Sequence, residues 1–397
     1  MGNDAGGFAM AGPPPPGYPP PGYPPPGYQG YPPPGYQGYA PPGYPGYQGY
    51  PPPGYPPPGY PPYGPPAYGP PVALKPGVIA LRPLGLSDIF NGAVAYIRAN
   101  PKATLGLTTV VVVAAQLLAL ILSVGPLTVT GELQPTLAGE EVSTGLLLGS
   151  SASSIAGGIA TWLSSILLSG MLTVVVGRAV FGTSITINEA WQRVRGRLWA
   201  LIGVTIIEMM AVLVVPAAVW AGITFGIGFS INGTAGAIAG IMLGLAWAVL
   251  SIYLWTMLSF APSIIVLERL AILPAISRSF KLVRNDFWRV FGIRLLGGIV
   301  AAVVAGAVTV PFSLGGQLLL IAASSTLATL AALVLLSIGS AISQIITSPF
   351  SAGVVVLLYT DRRIRGEAFD LVLQTGAGFG PGAPADSTDH LWLTRQT

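Results

Sequence analysis

AWQRVRGRLWALIGVTIIEMMAVLVVPAAVWAGI, residues 190–223, changes character once along its length. Its first eight residues carry Arg193, Arg195 and Arg197, whereas residues 198–223 hold a single charge, Glu208. About 20 apolar residues suffice to cross a hydrocarbon core of about 30 Å, so residues 198–223 predict a membrane-spanning helix. Just before it, Trp191, Val194, Leu198 and Trp199 recur at helical spacing with the arginines between them, the pattern of an amphipathic helix lying in the interface.

The same reading extends in both directions. The chain of 397 residues is 52% apolar and only 8% charged, against the roughly 25% charged of a soluble domain. Residues 209–267 and 295–360 are uncharged and too long for one crossing each, so each must fold back once; Asn232-Gly233-Thr234 and Ser313-Leu314-Gly315-Gly316 are the predicted turns. Six spans follow, at about 103–124, 156–177, 198–223, 236–266, 291–312 and 326–359. They are continuous apolar runs, which favours helices over the short alternating strands of a barrel. The expected class is therefore an all-α integral membrane protein. Residues 1–74 form a disordered tail, 75–373 the membrane domain and 374–397 a second disordered tail. No basic stretch followed by an apolar one opens the sequence, so insertion is expected to rely on the internal spans.

On this map all 18 Lys and Arg fall on one side of the membrane, while the connection after the first span carries Glu132, Glu140 and Glu141. Cytoplasmic loops are enriched in Lys and Arg, which predicts a plasma-membrane protein with both termini cytoplasmic. The segments entering the odd-numbered spans also resemble one another: AVAYIRANPKATLGL from Ala93, AWQRVRGRLWALIGV from Ala190 and SFKLVRNDFWRVFGI from Ser279 align Arg98 with Arg195 and Arg284, and Gly106 with Gly203 and Gly292. The chain thus reads as three parallel helical-hairpin repeats, each preceded by a cytoplasmic amphipathic helix. Arg98, Arg195 and Arg284 are candidate contacts to anionic lipid headgroups, each worth about 1 kcal/mol near an anionic leaflet. They serve either as topology anchors or as the lining of a lipid-phosphate pocket. The repeated glycines suit close helix approach. Gly170, Pro262 and Pro349, at roughly matching places in the even spans, are candidate kinks.

RPLGLSDIFNGAVAYIRANPKATLGL from Arg82, LERLAILPAISRSFKLVRNDFWRVFGI from Leu267 and SPFSAGVVVLLYTDRRIRGEAFDLVL from Ser348 give the chain a resemblance to actinobacterial membrane proteins similar to the membrane domain of glycerophosphoryl diester phosphodiesterases. The resemblance covers about residues 80–375 and implies a polytopic helical module of a bacterial plasma membrane, often behind a Pro/Gly/Tyr-rich tail. It does not carry the activity with it. Such chemistry needs paired His and a carboxylate-bound metal, whereas this sequence has one His, His390, and no Cys. No catalytic residue, cofactor site or metal site is predicted, and nucleic-acid binding is not expected because the basic residues belong to the membrane face.

Glu208 stands out as an ionisable residue inside a predicted span, where a charge costs about 2.5–3.5 kcal/mol. With Gln116 and Gln344 as its nearest candidate partners, it marks a candidate intramembrane polar site. The tail offers a different chemistry. Its word PPGY ends at Tyr18, Tyr23, Tyr28, Tyr36, Tyr44, Tyr55 and Tyr60, and proline and glycine in this density prevent helix or sheet from propagating. These tyrosines are stickers for protein partners or for self-association, or the tail is a spacer. The leading expectation is a non-enzymatic scaffold or organiser whose tail makes multivalent contacts. The alternative is a lipid or small-solute transporter or channel built from the six-helix bundle.

Overall fold

A computed structural model describes residues 77–80, 82–131, 133, 144–377 and 389–393. The tail tyrosines lie outside the described residues, as do Glu132, Glu140 and Glu141. Regular structure among the described residues is helical throughout. Six helices are long and apolar enough to cross a membrane: Lys102–Thr130, Leu148–Val180, Leu198–Ser230, Gly233–Leu267, Phe287–Ala322 and Thr326–Glu367, called spans one to six below. Each extends beyond or matches its expected range. Their outward faces carry large apolar side chains such as Val110, Phe225, Ile241 and Val303, all 65% exposed or more, as a lipid-facing surface requires.

Short helices precede spans one, three and five, at Leu86–Ala99, Ile187–Arg195 and Ile272–Arg284. Local chemistry sets their ends. Pro101 disfavours helical backbone at Asn100, which leaves the helix at φ −140° and ψ 66°. Thr186 and Glu189 form a reciprocal capping box, and the hydrogen bonds from Thr186 hold the Glu189 carboxyl below its ordinary range. The second helix stops at Gly196, so the expected continuous amphipathic stripe through Trp199 is broken in two. Val194 is buried, whereas Trp199 projects from the start of span three and the aligned Trp288 from the start of span five. Exposed tryptophans at this level suit the membrane–water boundary.

The apolar faces of the short helices dock in a regular order. Gly353 of span six makes room for Ala93 and Tyr96 of the first helix, and the Tyr96 hydroxyl donates to the Pro349 carbonyl. Gly170 of span two makes room for Val194 of the second. Ser279 of the third donates to the Met257 carbonyl at 2.6 Å and accepts from the Phe260 amide at 3.2 Å in span four. Each short helix therefore seats on the even span that precedes it, with the first closing the ring onto the last.

Several expectations change. Asn232 caps span four by accepting from the Ala235 amide at 2.8 Å, so the first predicted turn stands. The second does not: span five runs helical through Gly315 and Gly316, and the chain turns at Ala323–Ser325. The reason is packing, because a methyl group on Gly316 would lie 2.6 Å from Leu336 Cγ of span six. Of the three repeated glycines only Gly203 meets a close neighbour, Ile272; Gly106 and Gly292 have nothing within 4 Å. The even spans do not kink in concert. Span four is interrupted at Leu258–Phe260 just before Pro262, where Ser279 takes up the freed backbone groups, whereas spans two and six continue through Gly170 and Pro349. Finally, Asp389–Trp392, within the stretch expected to be a disordered tail, form a 3-10 turn that buries Trp392 against the bundle.

Candidate functional site

The six spans surround a cavity of about 380 Å³ to which every one of them contributes. Gln116 of span one, Glu208 of span three and Gln344 of span six all line it, so the three polar residues singled out in the sequence share one site. They are not bonded to each other as expected. Gln116 and Gln344 instead donate to the same Ser340 hydroxyl, at 3.3 and 3.2 Å. Glu208 makes no hydrogen bond or ion pair among the described residues.

Its charged neighbour is one the sequence reading grouped with the basic face: Arg294 of span five. Arg294 lies seven residues beyond Phe287, about 10 Å along a helix, and Glu208 ten beyond Leu198, about 15 Å. Span four positions the arginine. Its Nη1 donates to the Trp255 carbonyl at 2.8 Å, and the guanidinium lies 3.7 Å from the Trp255 ring centroid. Trp255 stands just before the break in that span, so the interruption and the guanidinium belong to one local arrangement.

Span three is irregular beside Glu208 too. Pro216 has no N–H for the Val212 carbonyl, and the helix widens into a π segment at Met210–Val214. Trp247 and Ser251 of span four both donate to that carbonyl at 3.0 Å. The orphaned acceptor is thereby satisfied without water, and the two irregular spans are tied together.

The remaining polar lining is hydroxyl-rich. Ser165, Ser169 and Thr173 follow one face of span two at four-residue intervals, and Thr347 and Ser351 do the same in span six with Ser348 beside them. Several hydroxyl hydrogens turn back onto their own helices: Ser164 to Ala160 at 2.8 Å, Thr173 to Ser169 at 2.8 Å and Thr347 to Ser343 at 2.9 Å. Their lone pairs stay available to the cavity. Ser259, at the break in span four, is 8% exposed and its Oγ has no hydrogen-bond partner among the described residues. A buried hydroxyl without a partner costs about 1–3 kcal/mol, which a bound polar group would relieve. The period-3.6 recurrence of Ser and Thr inside otherwise apolar runs was the signal that could have revealed this lining.

The site thus combines one carboxylate, one guanidinium, two amides and a wall of hydroxyls within the hydrocarbon span. Arg98, Arg195 and Arg284 are elsewhere. Each is exposed in the last turn of its short helix, on three separate helices, and none lines this cavity. They do not form one joint pocket.

A family model described as a domain of unknown function, DUF7847, matches residues 209–362. The match runs from the residue after Glu208 to Arg362, five residues short of the end of span six, and includes Arg294, the break in span four and the hydroxyl stripe of span six. No curated protein and no solved structure matches the chain.

Proposed function

We propose that the chain is a non-enzymatic plasma-membrane carrier or channel that holds a small polar solute, or the polar part of a lipid, in the Glu208–Arg294 cavity. The observation that supports it is a pair of ionisable side chains lining one polar cavity within the spans. Each would cost about 2.5–3.5 kcal/mol at the centre of a bilayer, so intramembrane charges of this kind characteristically serve substrate or ion pathways. A volume near 380 Å³ lies within the range of small-molecule sites. The broken span four places irregular backbone at the cavity wall through Ser259, a recurrent feature of transporters.

The ring of short helices, each seated on the preceding even span, supports three parallel hairpin repeats about an axis along the membrane normal. In this reading the arginine-bearing end is cytoplasmic, and the resemblance to phosphodiesterase-associated membrane domains extends to the bundle and not to catalysis. The PPGY words favour a second role: a tail that recruits or clusters partners, with the bundle as its anchor.

Native mass spectrometry of the full chain released from its own membranes tests the carrier reading. A small-molecule or lipid adduct is expected on the wild type and on a chain lacking residues 1–74, and is expected to disappear in Glu208→Gln and Arg294→Gln. Adduct spectra identical in all four proteins would remove the carrier reading. Loss of crosslinked protein partners from the tail-less chain alone would then favour the scaffold.

A further inference from the structure

A second cavity, of about 300 Å³, opens at the arginine-bearing end between the ends of spans two and four and the second short helix. Four arginines line it: Arg178, Arg193, Arg197 and Arg269. Arg193 and Arg197 are neighbours in sequence, whereas the fold brings Arg178 from the end of span two and Arg269 from beyond span four to join them. Arg269 reaches the site from a backbone in the left-handed region, φ 58°, a conformation that L residues adopt seldom and that tends to persist at functional sites.

The occupant is the chain's own C-terminal segment. Asp389 places its carboxylate 3.0 Å from Arg178 Nη2, 2.8 Å from Arg193 Nε and 3.4 Å from Arg269 Nη2. Three residues on, Trp392 is 3% exposed and packs against the rings of Phe181, Phe369 and Tyr359, while its carbonyl accepts from Arg363 at 3.0 Å. The turn has the form of a plug, with an apolar anchor beside an anionic head.

We propose that this cavity is a phosphate-binding site in which Asp389 is the intramolecular occupant, displaced when a phosphate group binds. Guanidinium forks pair with phosphate oxygens two at a time, and a phosphate presents more acceptor oxygens to converging arginines than one carboxylate does. The position suits either the phosphate of a lipid headgroup or free phosphate from solution. This site is separate from the central cavity and does not depend on the carrier reading.

Because a tethered occupant lowers apparent affinity by the fraction of sites it leaves open, freeing the site tightens binding. The full chain in a phosphate-free maltoside detergent is titrated calorimetrically in two arms, one with inorganic phosphate and one with phosphatidylglycerol carried in mixed micelles. Asp389→Asn and Trp392→Ala are each expected to bind about tenfold more tightly than the wild type in at least one arm. Arg193→Gln combined with Arg269→Gln is expected to abolish that binding. A response confined to one arm identifies the source of the phosphate. The proposal is overturned if neither arm shows tighter binding in both plug variants, including the case in which Asp389→Asn alone responds, because a charge effect without release of the tryptophan anchor is not displacement of a plug. Unchanged binding in the double arginine variant overturns it as well.

Discussion

Glu268→Ala should destabilise the bundle by about 3–5 kcal/mol, the effect of removing one partner from a buried ionic network and leaving the others uncompensated. Glu268 sits at the end of span four and is 3% exposed. Its carboxylate accepts from the Tyr359 hydroxyl of span six, pairs with Arg278 of the third short helix and lies 3.8 Å from Arg363. Arg363 is itself 4% exposed, and it also pairs with Glu367 at 2.9 Å and lies over the Phe369 ring at 4.1 Å. Burial alone would push the Arg278 guanidinium toward neutrality, but Glu268 and Glu367 outweigh it and raise its pKa above the ordinary value. Without Glu268 a phenol and two guanidiniums lose their common acceptor. Glu367→Ala, at the more exposed edge of the same network, should cost under about 1 kcal/mol. Thermal unfolding in detergent micelles, followed by circular dichroism, reads both. Equal small losses for the two variants would show that the network does not centre on Glu268.

Asp361→Ala is expected to cost a similar amount, about 3–5 kcal/mol, and to act at a different place. Asp361 is fully buried in span six. It accepts from the Leu84 amide at 2.8 Å, from Arg289 at 3.0 Å and from Arg365 at 2.9 Å. Arg289 and Arg365 also donate to the Leu84 carbonyl, at 2.7 and 3.0 Å, so one carboxylate and two guanidiniums grip both sides of a single residue. That grip leads the chain into the first short helix, with the Leu84 side chain fully buried beside it. In the variant, hydrogen exchange at the Leu84 amide should accelerate far more than at amides inside span six. Parallel acceleration throughout the bundle would instead mean that Asp361 supports the whole fold and not this junction.

Much of the architecture was legible because bilayer physics acts on runs of residues. Uncharged stretches gave the number of spans, and Asn232 announced its turn because an Asn side chain caps a helix. Gly315-Gly316 misled, because the same residue that permits a turn also permits close packing, and only the facing Leu336 tells the two apart. Glu208, Gln116 and Gln344 were found as isolated polar residues, and the fold brought them to one cavity. Arg294 was overlooked because a positive charge near the start of a span reads as part of the membrane face until its depth in the helix is counted. Asp389 and Trp392 carried no local signal at all. Their meaning lies in Arg178, Arg193 and Phe181, about two hundred residues away in sequence.

A half-open polar cavity lined by all six spans should admit water, where a dry helical core would not. The chain has no cysteine, so single substitutions give clean probes. Ser165→Cys and Ser351→Cys line the cavity, whereas Val303→Cys sits on the lipid-facing surface of span five. Thiolates form and react only where water reaches them. With a small cationic methanethiosulfonate applied to the full chain in lipid vesicles, rapid modification is expected at positions 165 and 351 and none at 303. Cavity cysteines as unreactive as the one at 303 would mean that the core between the spans is dry.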